Sequence, residues 1–244
     1  MKRILCLAFV MGLLLAGVAS ADWDPNPLVD NKLLIDTKSG YSGLLGGGEF
    51  TIQSAALSNA GYSSAPTQTK NITTAYITGT GSFQSFCLEK SEGVVVPGEY
   101  YYTVDTAAYM GSVGPAGDPL GASTAWLYTQ FATGALASLG YNYNTAGNAR
   151  RDSADQLQSA IWYLEGEIGS VSGLAQTFVT AAQAAAANAS IWGDKIGNVR
   201  VLNLYTASAI KAKQSQLYMV PVPGAMLLGF LGLGYAGMRL RKVA

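Results

Sequence analysis

The sequence contains no histidine and few charged residues, and each deficit excludes a class of function. Histidine is the side chain that changes charge near neutral pH and the commonest transition-metal ligand. Its absence from all 244 residues argues against hydrolase triads and zinc sites. Charged residues make up only 12% of the chain, which favours a surface rich in hydroxyl and amide groups. We therefore expect no metal, no cofactor and no enzyme of the usual kind.

Basic residues are scarce in the central part of the chain. Five of the fifteen Lys and Arg residues lie within 1–21 or 220–244, so the body at 22–219 carries ten of them against fifteen acidic residues, a net charge of −5. Nucleic acids and anionic lipids are bound through clustered Lys and Arg, and this body has no such cluster. The sequence argues against nucleic acid as a partner.

Residues 1–21 have the three parts of a cleavable secretion signal. Lys2 and Arg3 precede an apolar run at 4–18, which ends in the A-x-A pattern Ala-Ser-Ala at 19–21. The run is short for a bilayer-spanning helix, although an uncleaved anchor is the alternative. We expect cleavage after residue 21 and export of a body that has lost Cys6.

The tail at 220–244 predicts a second sorting element. An apolar run rich in Leu and Gly at 226–238 lies between two short motifs, which are Pro221, Val222 and Pro223 before it and Arg239, Arg241 and Lys242 after it. This tail resembles PEP-CTERM sorting signals of Gram-negative bacteria, although Val222 stands where that family has glutamate. The resemblance implies cleavage by an exosortase-type enzyme and delivery to the cell surface or exopolysaccharide matrix. Until then the tail would hold the precursor in the inner membrane, with its basic end cytoplasmic. A permanent C-terminal anchor is the alternative.

The body between these ends combines strand-like and helix-like patterns. β-Branched and aromatic runs between Gly- and Ser-rich stretches predict strands at 33–35, 49–52, 75–78, 82–88, 100–104, 199–205 and 216–220. Three consecutive glycines at 46–48 predict a tight turn or flexible loop. The predicted fold class is α+β: a β-sheet or barrel with an inserted helical half, followed by a C-terminal hydrophobic helix.

Three helices are predicted between the two groups of strands. Apolar residues at a period near four indicate a first helix from a Ser123 or Thr124 cap to Gly140. A second is expected to begin at Ser153, with Gln156 completing a capping box, and to end near 166–169. The third spans 174–187.

Cys87 is the single cysteine of the mature body, in a compartment where thiols usually pair or oxidise. The residues around Cys87, taken alone, favour a buried thiol that packs as a small hydrophobic side chain. However, the segments 86–88 (FCL) and 157–161 (LQSAI) together resemble the internal thioester domains of bacterial surface adhesins. In that family such a cysteine motif precedes an apolar-Gln-x-x-apolar motif on a helix. The resemblance implies a crosslink between Cys87 and Gln158.

A thioester stores an electrophile for a single attachment. The cysteine sulfur attacks the Gln158 amide and expels ammonia, and a partner amine or hydroxyl later takes the acyl group. Trp162, one helical turn after Gln158, is the expected shield against water. Without histidine, proton transfer would fall to Glu89, Asp155 or a tyrosine. The expected function is therefore that of a cell-surface adhesin that binds a surface protein or polysaccharide.

Tyrosines offer a competing, non-covalent function. Tyr101 lies in a run of three tyrosines, and Tyr141 lies in an Asn-rich loop. Such rings can stack on sugars while amide side chains bond to the sugar hydroxyls. Alternation along a strand also points some of these rings into the core. A polysaccharide-binding or structural matrix protein is the alternative function.

Overall fold

The computed structural model of the protein describes residues 32–37, 41, 46–54, 57, 82–110, 117–144, 146–206 and 212–220. The predicted secretion signal, the strand at 75–78 and the sorting tail with its hydrophobic helix from residue 221 onward lie outside these ranges. Among the described residues, none of the helices combines the length and the hydropathy that a membrane span requires.

A curled antiparallel sheet of six strands forms one half of the fold. The strands are β1 Lys32–Thr37, β2 Phe50–Gln53, β3 Ser82–Ser85, β4 Gly98–Asp105, β7 Val199–Tyr205 and β8 Ala212–Met219. Their spatial order is β3-β2-β1-β4-β7-β8. A separate two-stranded ribbon pairs β5 Ala107–Ala108 with β6 Asp118–Pro119.

The sheet curls so far that its two edges touch. The chain continues past β3 and meets β8 at the opposite edge, where the Leu217 N–H donates to Phe86 O at 3.0 Å and the Leu88 N–H donates to Ser215 O at 3.1 Å. Between these bonds, Cys87 forms an isolated bridge with Gln216. Cys87 therefore lies at the seam of a half-barrel.

Three helices are inserted between β6 and β7, which confirms the predicted α+β class. They are α1 Ala122–Ala132, α2 Ala149–Leu164 and α3 Gly173–Ala187, with a short 3-10 helix Ala135–Leu139 after α1. One hydrophobic core is shared by the helices and the inner face of the sheet. Phe131 of α1 lies within it, edge-on to Phe86 at a ring-centroid distance of 4.9 Å.

The predicted helix starts were wrong in two places. The first helix begins after Gly121, so neither Ser123 nor Thr124 caps it. The second begins at Ala149, four residues before the predicted capping box, and Ser153 lies inside it. The Ser153 hydroxyl donates to Ala149 O at 2.9 Å and accepts from the Asn142 N–H at 3.0 Å, so the serine bonds within and beside a helix that has already begun.

The first predicted helix is also interrupted. Gly134 adopts a left-handed conformation with φ of 81°, a conformation that glycine reaches at little cost. The helix ends there, and the chain continues to Gly140 as the 3-10 turn. Strand β3 likewise ends at Ser85 rather than at residue 88, because the following residues leave β2 to meet β8.

Candidate functional site

The seam of the half-barrel faces helix α2, and there the structure brings Cys87 and Gln158 together. The Cys87 Sγ atom lies 3.2 Å from Oε1 of Gln158. Both side chains are fully buried. This contact is a hydrogen bond in which the thiol donates to the amide oxygen, and it places a nucleophile beside an acyl group.

The Gln158 amide is held on both sides by backbone groups. Its Oε1 accepts from the Gly48 N–H at 2.9 Å and from the Cys87 N–H at 3.2 Å. Its Nε2 donates to the Cys87 carbonyl oxygen at 2.8 Å. Nucleophilic attack on the amide carbon places negative charge on Oε1, where the two N–H groups already point. This is the arrangement of an oxyanion hole.

Gly47 and Gly48 allow the close approach of this loop to the site. A Cβ atom at Gly47 would lie 2.4 Å from Cγ of Gln158, and one at Gly48 would lie 2.6 Å from Ser85 O. Glycine is the residue that permits such contacts. The sequence predicted only a turn or loop here, and the run of three glycines just before a strand was the available signal for a closely packed backbone.

The thiol is not activated in its resting state. The pKa of Cys87 is raised to about 12, mainly by burial; the Gly48 N–H and the Trp162 indole lower it in part, and the Glu89 charge contributes to the rise. A thiol is a much weaker nucleophile than a thiolate. The cysteine is therefore protonated at neutral pH, and its proton must be removed for the sulfur to attack.

Trp162 lies on helix α2 beside the Cys87 thiol. Its side chain is 5% exposed and shares a buried helix face with Ala154, Gln158 and Ile161. The indole N–H lies near enough to the sulfur to lower the pKa of the thiol. Its Nε1 atom nevertheless forms no hydrogen bond with the described residues. The structure thus places Trp162, the residue predicted to be the shield, in the core beside the thiol.

A buried ion pair between Arg150 and Glu49 lies next to the site, and the sequence did not predict it. Arg150 donates from Nε to Glu49 Oε2 at 2.9 Å and also pairs through Nη2 with Glu49 Oε1. The Tyr141 hydroxyl donates to Glu49 Oε2 at 2.7 Å. Burial alone would lower the pKa of Arg150, but the hydrogen bonds and charge of Glu49 raise it, so the guanidinium stays charged.

The ion pair fixes the loop against the helix that carries the glutamine. Glu49 follows Gly48 directly, and Arg150 precedes Gln158 on α2 by two helical turns. The guanidinium also lies over the Tyr41 ring at 3.9 Å. Loop and helix are thus joined at two points, the ion pair and the Gly48–Gln158 hydrogen bond.

The three predicted proton carriers have different surroundings. Glu89 is 2% exposed and acts electrostatically on Cys87. Asp155 is only partly buried. The prediction left the tyrosine unspecified; among the tyrosines, Tyr141 is buried and its hydroxyl donates to Glu49. Burial also raises the pKa of nearby Glu165 to about 7. Among the described residues, no group of acidic or sulfur side chains could hold a metal ion.

The predicted sugar-binding tyrosines do not form one surface. Tyr141 is 3% exposed and contacts Phe131 at a centroid distance of 5.2 Å, so its assignment to a sugar site was wrong. Tyr101 is partly exposed on β4. The exposed ring in this region is Tyr109, at 63% exposure, edge-on to Tyr205 at 6.1 Å.

The fold and the site together define an α+β protein with a buried, preorganised cysteine–glutamine pair. Comparisons with protein-family models, with curated proteins and with solved structures found no match to this chain. The function of the pair is therefore inferred from the geometry of the residues themselves.

Proposed function

We propose that the protein is an exported adhesin-like protein of the cell surface or extracellular matrix, and that it attaches covalently to a partner through a thioester between Cys87 and Gln158. One observation carries the proposal: the sulfur lies 3.2 Å from an amide oxygen that two backbone N–H groups already hold. The same two N–H groups would stabilise the negative charge that forms on Oε1 when the sulfur attacks the amide carbon.

The proposed reaction has two steps. In the first, a C–S bond forms between Cys87 and Cδ of Gln158, the C–N bond breaks, and the nitrogen leaves as ammonia with the thiol proton. In the second, an amine or hydroxyl of the partner attacks the thioester carbon, the C–S bond breaks, and the thiol is restored. Each molecule reacts once, so this is attachment and not turnover.

Burial supports this chemistry because a thioester in water is hydrolysed. The complete burial of both side chains and the indole cover of Trp162 keep water from the bond. Export and sorting through the two ends of the chain remain part of the proposal, in which a signal peptide sends the body out and an exosortase-type enzyme cleaves the tail. The low charge of the body suits a polysaccharide matrix.

Intact mass spectrometry of the untreated mature protein tests the thioester. We expect the wild-type body to weigh one ammonia less than its sequence, because ring closure expels the amide nitrogen. Cys87→Ala and Gln158→Ala should each remove the deficit. Gln156→Ala is the matched control, since this glutamine lies on the same helix but bonds to the Ala175 N–H, and its variant should keep the deficit. A wild-type protein of full mass with a titratable thiol would contradict the proposal.

Non-covalent binding to polysaccharide is a second candidate, favoured by the exposed Tyr109 ring beside Tyr205. We expect Tyr109→Ala to weaken binding of the purified body to extracellular polysaccharide at least about fivefold, equivalent to the loss of ~1 kcal/mol of aromatic contact. A co-sedimentation isotherm measures this. Cys87→Ala separates the two functions, because it should leave sugar binding intact. Equal binding by wild type and Tyr109→Ala would exclude this surface.

A further inference from the structure

Cys87 turns both of its backbone polar groups toward Gln158. The two bonds that close the seam with β8 belong to its neighbours, through Phe86 O and the Leu88 N–H. The Cys87 N–H instead donates to Gln158 Oε1 at 3.2 Å, and the Cys87 carbonyl oxygen accepts from Gln158 Nε2 at 2.8 Å. One residue of the backbone thus binds both polar atoms of one side-chain amide.

This two-point contact uses one particular hydrogen of the amide nitrogen. An unsubstituted amide carries a hydrogen on the same side of the C–N bond as the oxygen and another on the opposite side. Because Oε1 and Nε2 of Gln158 face the same residue, the hydrogen donated to the Cys87 carbonyl is the one on the oxygen side. The contact therefore requires a hydrogen at that position.

Attachment to a partner amine puts a substituent at that position. The product is an amide with one substituent on nitrogen, and such amides are almost always trans. The trans form places the substituent on the oxygen side and the remaining N–H on the other. The cis form, which would keep a hydrogen on the oxygen side, is strongly disfavoured. An attached Gln158 in the trans form therefore has no hydrogen to donate to the Cys87 carbonyl oxygen.

The burial of the site makes this loss costly. Cys87 and Gln158 are both fully buried, so water does not replace the missing bond, and a buried carbonyl oxygen without a donor costs free energy. The loop on the other side leaves little room for the amide to shift, because a Cβ atom at Gly47 would lie 2.8 Å from Cδ of Gln158. A substituent directed at the Cys87 carbonyl therefore moves the amide carbon away from the sulfur.

We propose that the two backbone groups of Cys87 select an unsubstituted amide for ring closure, so that attachment to a partner amine runs in one direction only; this inference rests on the proposed function. Attack of ammonia on the thioester is the exact reverse of ring closure and restores Gln158 with its two-point contact. Reversal of attachment would need the sulfur to attack the substituted amide, the C–S bond to form, and the C–N bond to break as the partner amine leaves with the thiol proton. The carbon of that amide is not held against the sulfur.

This selection protects the attachment from the thiol that made it. The acyl transfer to a partner restores the Cys87 thiol on the strand next to the new amide. Without selection, the same thiol could attack that amide, close the ring again and release the partner. An adhesin gains a lasting link when the amide it starts from fits the site and the amide it produces does not.

Ammonia and methylamine test the inference on the purified mature protein. Each opens the thioester: ammonia restores Gln158, whereas methylamine leaves an N-methylamide at the same position. After removal of the free amine, the intact mass is followed with time. We expect the ammonia-opened protein to regain the ammonia deficit, and the methylamine-opened protein to return to that mass at least about tenfold more slowly. Gln156→Ala, whose glutamine bonds to the Ala175 N–H, is the matched control and should behave like the wild type with both amines.

The outcomes separate this inference from the proposed function. A wild-type protein that never shows the ammonia deficit overturns both. A wild type with the deficit whose two opened forms close at equal rates overturns only the selection by Cys87. Failure of the ammonia-opened protein to close also overturns it, since its Gln158 is the starting amide. Thermal unfolding of the two opened forms shows whether they share one fold, and a slow return of the methylamine form supports the inference when their midpoints agree. A methylamine form that has lost the fold of the ammonia form overturns it, because the slow return would then follow from unfolding.

Discussion

Replacing Arg150 with methionine is expected to lower the free energy of unfolding by about 3–5 kcal/mol, because it leaves a buried carboxylate without its counter-charge. Glu49 and Arg150 are both fully buried. The Glu49 carboxylate accepts two hydrogen bonds from the Arg150 guanidinium and one from the Tyr141 hydroxyl. Methionine fills a similar volume, so the loss reports charge and hydrogen bonding more than packing. Urea-induced unfolding measures it.

Arg151→Met is the matched control for this prediction. Arg151 is the next residue of α2, is only partly buried, and forms no ion pair within the described residues. Its substitution should change stability by less than about 0.5 kcal/mol. If Arg150→Met and Arg151→Met lower the free energy of unfolding by similar amounts, the Glu49–Arg150 pair contributes no more to stability than an ordinary side chain of this helix.

The double variant Glu49→Leu with Arg150→Met distinguishes an orphaned charge from lost packing. Removal of both charges often restores stability, since no buried ion is then left without a counter-charge. We expect the double variant to be more stable than Arg150→Met. If instead the double variant loses as much stability as the single variants Glu49→Leu and Arg150→Met together, the two charges act independently and the ion pair is not the source of the effect.

The fold was predictable where the signal is local. Strand β7 was predicted at 199–205 and occupies Val199–Tyr205, and the third helix was predicted at 174–187 and occupies Gly173–Ala187. Apolar alternation and a single helical period decide such elements. The start of α2 was missed because Ser153 with Gln156 imitates a capping box, while the hydrogen bonds of the Ser153 hydroxyl depend on residues that a motif does not contain.

The site was predictable only in part, for a related reason. Two short motifs in the expected order were enough to pair Cys87 with Gln158. The groups that seat the amide could not be read in the same way, because Gly48 bonds to Gln158 across 110 positions and Glu49 bonds to Arg150 across 101. Those contacts arise when the half-barrel closes against α2. A local pattern carries no record of which loop will face which helix.

Replacing Gly47 with alanine is expected to slow thioester formation about a hundredfold, the effect of displacing a reacting group by roughly 1 Å. The added Cβ would lie 2.4 Å from Cγ and 2.8 Å from Oε1 of Gln158. The glutamine must therefore move, and its Oε1 would leave the Gly48 and Cys87 N–H groups. The ammonia deficit in the intact mass, followed with time after purification, measures the rate.

Gly93→Ala controls for the glycine substitution itself, since a Cβ there meets nothing within 4 Å. It should leave the deficit unchanged. Thermal unfolding of the Gly47→Ala protein separates chemistry from folding, because the clash is with one flexible side chain and not with the backbone. A Gly47→Ala protein that forms the thioester at the wild-type rate would mean that the two N–H donors do not set the reaction. A stable fold with slow closure would instead place the catalytic advantage in the seating of the amide oxygen.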